Sequence, residues 1–116
     1  MAKLLLKYEG VTLSSYNLER ETMTIGRLAE NDIQLDDPAV SGIHARLTIK
    51  SSEYLESIKE IYLEDMKSTN GTLVNNQKIQ KQLLKHGDIV QIGKHEFFFD
   101  SGQVQDLEQT AIYLPD

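Results

Sequence analysis

The sequence predicts an all-β sandwich, and three observations carry that expectation. Apolar residues fall in short or alternating runs of strand length, and turn formers interrupt them at close intervals, as in sandwich folds. Glycines at positions 10, 26, 42, 71, 87 and 93 sit at or between those runs, where turns need them. Finally, no segment carries a strong 3.6-residue period. The best helix candidate, "SSEYLESIKE" at 51–60, is only weakly periodic and reads as a hairpin loop. A chain of 116 residues with 40% apolar and 26% charged residues suits one domain with an ordinary core.

Taken in order, "LLLKYE" (4–9) is an apolar opening run closed by Gly10, and "TLSSYNL" (12–18) returns from that turn. "TMTIG" (22–26) alternates and ends on a glycine, and "DIQL" (32–35) is a short apolar pair among acids. "HARLTIK" (44–50) alternates cleanly, and "KEIYLED" (59–65) sets Ile61 and Leu63 on one face against Tyr62 and Glu64 on the other. "GTLVN" (71–75), "DIVQIG" (88–93) and "HEFFFD" (95–100) complete the set, each bounded by turn residues. Residues 1–100 therefore form the domain. Residues 101–116, "SGQVQDLEQTAIYLPD", are poor in basic residues and read as a flexible or linker-like tail.

Composition narrows the function. A net charge of −6 and a pI near 5.0 argue against a sequence-independent grip on nucleic acid or an anionic membrane, so any anion site must gather its cations locally. The absence of cysteine removes disulfide frameworks, thiolate catalysis and cysteine metal sites. The three N-terminal leucines are too few for a signal-peptide core or a membrane span, and the expected compartment is the cytoplasm. His44, His86 and His95 lack metal-ligand spacing, and neither a P-loop nor a GxGxxG fingerprint is present. Ser41 and His44 lie three residues apart without a glycine-framed serine elbow. Neither an enzyme nor a cofactor is expected.

Three loops hold most of the unusual polar residues: "IGRLAENDIQL", "DDPAVSGIHARL" and "KSTNGTLVN". Singly, each has an ordinary explanation, with Arg27 a solvated residue after a strand, Ser41 a turn closer, His44 a structural imidazole, and Thr69 and Asn70 turn formers. Together, Gly-Arg, then "VSGIHA", then "D..STNGT.VN", then "L..GD.V.IG" occur in one order from about Leu4 to Asp100. That series resembles the forkhead-associated (FHA) domain family.

The resemblance implies a sandwich of two twisted, mainly antiparallel sheets whose loops at one end bind phosphothreonine in a partner protein. Such a phosphate carries nearly two negative charges and needs donors converging from several loops. Arg27 would bond two phosphate oxygens at once, Ser41 and Thr69 would donate hydroxyl hydrogen bonds, and Asn70 would hold the peptide backbone beside the phosphothreonine. Gly26, His44, Gly71 and Asn75 match positions that structure the loops. One departure is Gly42, where many relatives carry a basic or amide side chain, leaving only a backbone N–H to donate. The acids Glu30, Asp32, Asp36 and Asp37 flank the proposed site, so Arg27, helped by Lys67 or Arg46, has to dominate within a Debye length of about 8 Å.

The implied role is a stand-alone bacterial signalling adaptor that recognises threonine-phosphorylated proteins and works with a Ser/Thr kinase. The alternative is a phosphate-independent FHA scaffold for protein–protein assembly. In the tail, Thr110 is a candidate phosphosite. Its reach favours docking on a second copy, and so self-association, over docking on its own domain.

Overall fold

The computed structural model describes residues 2–51 and 59–102. The hairpin loop expected within 51–60 falls mostly outside them, as do Thr110 and most of the tail. Eleven strands stand in the described residues: β1 (Lys3–Tyr8), β2 (Val11–Asn17), β3 (Thr22–Gly26), β4 (Ile33–Gln34), β5 (Ala45–Ser51), β6 (Lys59–Asp65), β7 (Thr72–Val74), β8 (Gln77–Ile79), β9 (Lys81–Leu83), β10 (Ile89–Ile92) and β11 (His95–Asp100). They form two sheets, ordered β2-β1-β11-β10-β7-β8 and β4-β3-β5-β6-β9. All pairings with a defined register are antiparallel except β3 with β4.

Alternation along the strands creates the core between the sheets. β5 buries Ala45, Leu47 and Ile49, β6 buries Ile61 and Leu63, and β11 buries Phe97 and Phe99. Phe98, one step out of phase, faces the other way. There the Lys7 ammonium lies 5.8 Å from its ring centroid and His86 meets it edge-on at 5.6 Å.

The structure adds two strands to the nine expected from the sequence. "QKI" and "KQL" are polar three-residue edge strands, and charged, short edges carry little apolar signal because they resist pairing with other chains. β8 lies at the edge of one sheet and β9 at the edge of the other, so Gln80 is where the chain changes sheets. Its carbonyl accepts the Asp65 N–H at 2.8 Å.

Register places the loops. Ile25 pairs with Ala45 and Ala45 with Asp65, so β3 ends, β5 begins and β6 ends at one level. The loops 27–32, 35–44 and 66–71 all emerge there. His95, at the start of β11, belongs to the same end through its 3.0 Å contact with Asp37. Five residue steps at about 3.4 Å carry β11 about 17 Å away, to Asp100 paired with Lys3. Both ends of the domain therefore lie opposite the loops.

Candidate functional site

The turn 67–71 is built from within. Asp65 accepts the Ser68 N–H at 3.1 Å, the Ser68 hydroxyl at 2.5 Å and the Thr72 hydroxyl at 2.7 Å. The Ser68 Oγ in turn accepts the Gly71 N–H at 2.9 Å. Burial pushes the Asp65 carboxyl up, but the Ser68 and Thr72 hydrogen bonds outweigh it and hold it below its ordinary value. Gly71 adopts φ +87°, where a side chain would be strained, and a Cβ there would meet Lys78 Cε at 2.6 Å.

His44 joins this turn to the 35–44 loop. It is fully buried, its Nδ1 accepts the Ser41 N–H at 3.0 Å, and its Nε2 stands 2.8 Å from the Gly71 carbonyl. One nitrogen accepting from an amide and the other facing a carbonyl fixes the Nε2–H tautomer. The imidazole thus clamps two loops 27 residues apart.

Asn31 clamps the third loop. Buried in the turn after β3, it donates to the carbonyls of Leu28 at 2.8 Å and Gly42 at 2.7 Å. Gly26 has no room for a side chain, since a Cβ would lie 2.2 Å from the Gly42 carbonyl oxygen and 2.8 Å from Asn31 Nδ2. Close approach, not backbone angle, requires glycine here. The 36–41 turn is held by Asp37, which caps the Ala39 N–H at 2.9 Å and meets His95 Nε2 at 3.0 Å. The Ala39 N–H holds the Asp37 carboxyl below its ordinary value; partial burial opposes this and His95 reinforces it.

On this frame rests an open cleft of about 280 Å³ lined by Arg27, Pro38 to Gly42, Thr69 and Asn70. All five residues expected to contact phosphothreonine line it. Arg27 Nε donates to the Val40 carbonyl at 3.1 Å, which anchors the guanidinium stem, and its terminal nitrogens are unengaged among the described residues. Ser41 Oγ accepts the Thr69 N–H at 3.0 Å, so its own proton remains to be donated. Asn70 spends one amide N–H on the Ala39 carbonyl at 2.8 Å, keeping its carbonyl oxygen and second N–H. Among the described residues, Arg27 is the one charged side chain lining the cleft.

Several expected residues lie elsewhere. Asn75 stands at the far end of β7 from Gly71, where it bonds Asp88 Oδ1 at 3.0 Å and accepts the Ile89 N–H at 3.0 Å. It structures the β7–β8 turn, where its φ of +52° and that of Asn76, +69°, reverse the chain. Arg46 does not reach the cleft, because Glu64 on the neighbouring strand holds it at 2.7 Å. Lys67 does not line it either. Of the flanking acids, Asp32 accepts the Thr24 N–H and pairs with Arg20, Asp37 is engaged as above, and none lines the cleft.

Sequence reasoning gave no role to Asn31 or Asp65. Asp65 opens the "D..STNGT" pattern, and its spacing to Ser68 and Thr72 is the signal that marks it as the turn's acceptor. Asn31 leaves no such signal, because its partner carbonyl lies 11 residues away.

Comparison with known proteins agrees with this architecture. The FHA domain family profile matches residues 23–93. The oxoglutarate dehydrogenase inhibitor of Corynebacterium efficiens is 40% identical over 85 residues, 73% of this chain and 55% of that protein. The glycogen accumulation regulator GarA of Mycolicibacterium smegmatis is 36% identical over 93 residues, 80% of this chain and 54% of its own. This chain spans about half the length of these curated relatives. The structure of Mycobacterium tuberculosis EmbR in complex with a low-affinity phosphopeptide superposes with a TM-score of 0.72 at 32% identity, covering 86% of this chain and 24% of EmbR. With a matching profile over most of the domain, relatives of this similarity and the two-sheet sandwich, the chain belongs to the FHA domain family.

Proposed function

We propose that this domain is a phosphothreonine-dependent protein-binding module, without catalytic activity, that acts as an adaptor downstream of a Ser/Thr kinase in the cytoplasm. The observation that carries the reading is the set of unspent hydrogen-bonding groups on one cleft: the Arg27 terminal nitrogens, the Ser41 proton, the Thr69 hydroxyl and half of the Asn70 amide. A dianionic phosphate with three acceptor oxygens uses such donors, and two charge-assisted bonds to a guanidinium are its strongest contacts. The Asn70 carbonyl suits a peptide N–H. Asp32 pairs with Arg20, Asp37 is engaged by the Ala39 N–H and His95, and none of the four flanking acids lines the cleft, so among the described residues the one charge lining it is that of Arg27.

The partner is a threonine-phosphorylated protein segment, presented to residues 1–100 as a unit. Phosphorylated Thr110 is one such segment. The domain's C-terminal end lies opposite the cleft, so a tail leaving there favours binding to a second copy.

The test is fluorescence anisotropy with phosphothreonine peptides, including residues 106–116 phosphorylated at Thr110, beside phosphoserine and unphosphorylated forms. Saturable, phosphate-dependent binding that falls at least about 100-fold in Arg27→Ala, with an unchanged melting temperature, is the expected outcome. A folded wild-type protein that ignores phosphate on every peptide would overturn the reading. It would favour the phosphate-independent scaffold, for which Gly42 is the one supporting feature.

A further inference from the structure

Six large apolar side chains are exposed among the described residues, and two of them, Leu28 and Ile43, each 42% exposed, directly follow cleft residues Arg27 and Gly42. The other four stand on β1, β2 and β9. Leu28 and Gly42 are joined through the Leu28 N–H to the Gly42 carbonyl at 3.2 Å. A Cβ on residue 42 would lie 3.1 Å from Leu28 Cδ1, so the leucine side chain lies over the space beside Gly42. Where a cationic or amide side chain would extend the phosphate site, this chain offers hydrocarbon.

The position of that hydrocarbon is defined along the 39–43 segment. Asn70 is tied to Ala39 at one end and Leu28 to Gly42 at the other. The amide that suits a peptide backbone and the apolar lip therefore stand at opposite ends of one wall, with Ser41 between them. Glu30, exposed two residues beyond Leu28 in the same turn, disfavours an acidic neighbour on that side.

We propose that Leu28 and Ile43 form a hydrophobic lip that selects phosphothreonine segments carrying a large aliphatic or aromatic side chain within three residues of the phosphothreonine, on the side away from Asn70. The proposal rests on the phosphothreonine reading and names the class of sequence that site accepts. Leu28 and Ile43 each adjoin a cleft residue through one peptide bond, and neither lines the cleft itself, so the lip is offered to residues flanking the phosphothreonine and not to its phosphate. Burying part of a leucine-sized side chain there supports about a tenfold preference over serine.

The experiment is an array of nine-residue phosphothreonine peptides in which each position from three before to three after the phosphothreonine carries Leu, Phe, Ser, Asp or Lys in turn. It is read with the wild-type protein, Leu28→Ser and Ile43→Ser. The expected result is an apolar preference of about tenfold on one side only, reduced to about twofold in each variant, while binding of the serine peptides is retained. Both side chains are substantially exposed, and matched melting temperatures establish that the variants fold. Phosphate-dependent binding with no apolar preference, or a preference unchanged in both variants, overturns the lip and leaves the phosphothreonine site standing. Wild-type protein that binds no phosphopeptide overturns both.

Discussion

The polar groups at the loop end divide into two regions that use the same chemistry to opposite ends. Beneath the loops, His44 and Asn31 are buried and Asp65 half-buried, and they spend their hydrogen bonds on the protein's own backbone and hydroxyls, with the Asn31 Oδ1 the one atom of the three side chains left without a partner among the described residues. Above them, Arg27, Ser41, Thr69 and Asn70 each make one internal bond or none and keep the rest. Buried polar groups must be satisfied because leaving one unpaired costs about 1–3 kcal/mol. Exposed ones carry no such requirement, since water serves them until a ligand arrives. The lower region fixes the geometry of the upper one, so substitutions below should cost stability and binding together, whereas those above should cost binding alone.

Gly26→Ala is the sharpest way to break that division. Its Cβ would sit 2.2 Å from the Gly42 carbonyl, a backbone atom that cannot move without displacing the Asn31 clamp and the 42–44 segment. A loss of about 3 kcal/mol or more in urea unfolding is expected, with phosphopeptide binding weakened in the fraction that folds. Close to wild-type stability would mean that the loops have slack, and that the lower region is less rigid than its hydrogen bonds imply.

His44→Ala comes next. It strands the Ser41 N–H and the Gly71 carbonyl and leaves a small cavity, for an expected loss of about 2–3 kcal/mol. Binding should weaken as well, because Ser41 and Thr69 lose their common anchor. Arg27→Ala in the same assays supplies the contrast, with affinity gone and stability within about 0.5 kcal/mol of wild type.

Asp65 sharpens the comparison through pH. Its carboxyl lies below the usual value of 3.8 in the folded protein, so ionisation favours the folded state. That contribution is fully present above the unfolded-state value and is lost as pH falls through the depressed folded one. Asp65→Asn keeps the shape but replaces one acceptor with a donor facing the Ser68 and Thr72 donors. The stability gap between wild type and Asp65→Asn should be about 1–2 kcal/mol and flat from pH 6 to 8. It should then narrow below about pH 4, as the wild-type carboxylate protonates. A gap that stays constant down to pH 3 would show that Asp65 acts through shape and not charge.

Legibility in the sequence follows the same division. Period-2 alternation made β5, β6 and β11 readable, because each has one face in the core. β8 and β9, polar edge strands of three residues each, are too short for alternation to announce them, although Ile79 of β8 packs against the core. At the loop end, the five residues predicted to meet phosphothreonine line one cleft; their types and order, "GR", "SG" and "TN", are local patterns. Asn31 was not legible, because its role depends on Gly42, brought beside it only by the fold. The Asn75 side chain shows the converse limit. A motif position places it on the right hairpin, but only the register shows that it serves the turn remote from the cleft.

The smallest effect is expected at the border between the regions. Gly42 belongs to the lower one through its carbonyl, which accepts from Asn31 and Leu28, and to the upper one through the cleft its Cα lines. Its backbone φ is not in the left-handed range, so a side chain there is not strained by conformation. The nearest obstacle is Leu28 Cδ1 at 3.1 Å, the far end of an exposed side chain that can rotate away. Gly42→Asn should therefore change stability by less than about 0.5 kcal/mol. In phosphopeptide titrations its amide adds a donor where the wild type has only a backbone N–H, and affinity should rise about threefold to tenfold. Because the new side chain displaces Leu28, the same variant should lose the apolar preference as it gains phosphate affinity. A variant that gained neither, yet folded as wild type, would mean that the phosphate sits closer to Thr69 than to Gly42, and that the border is drawn at Ser41.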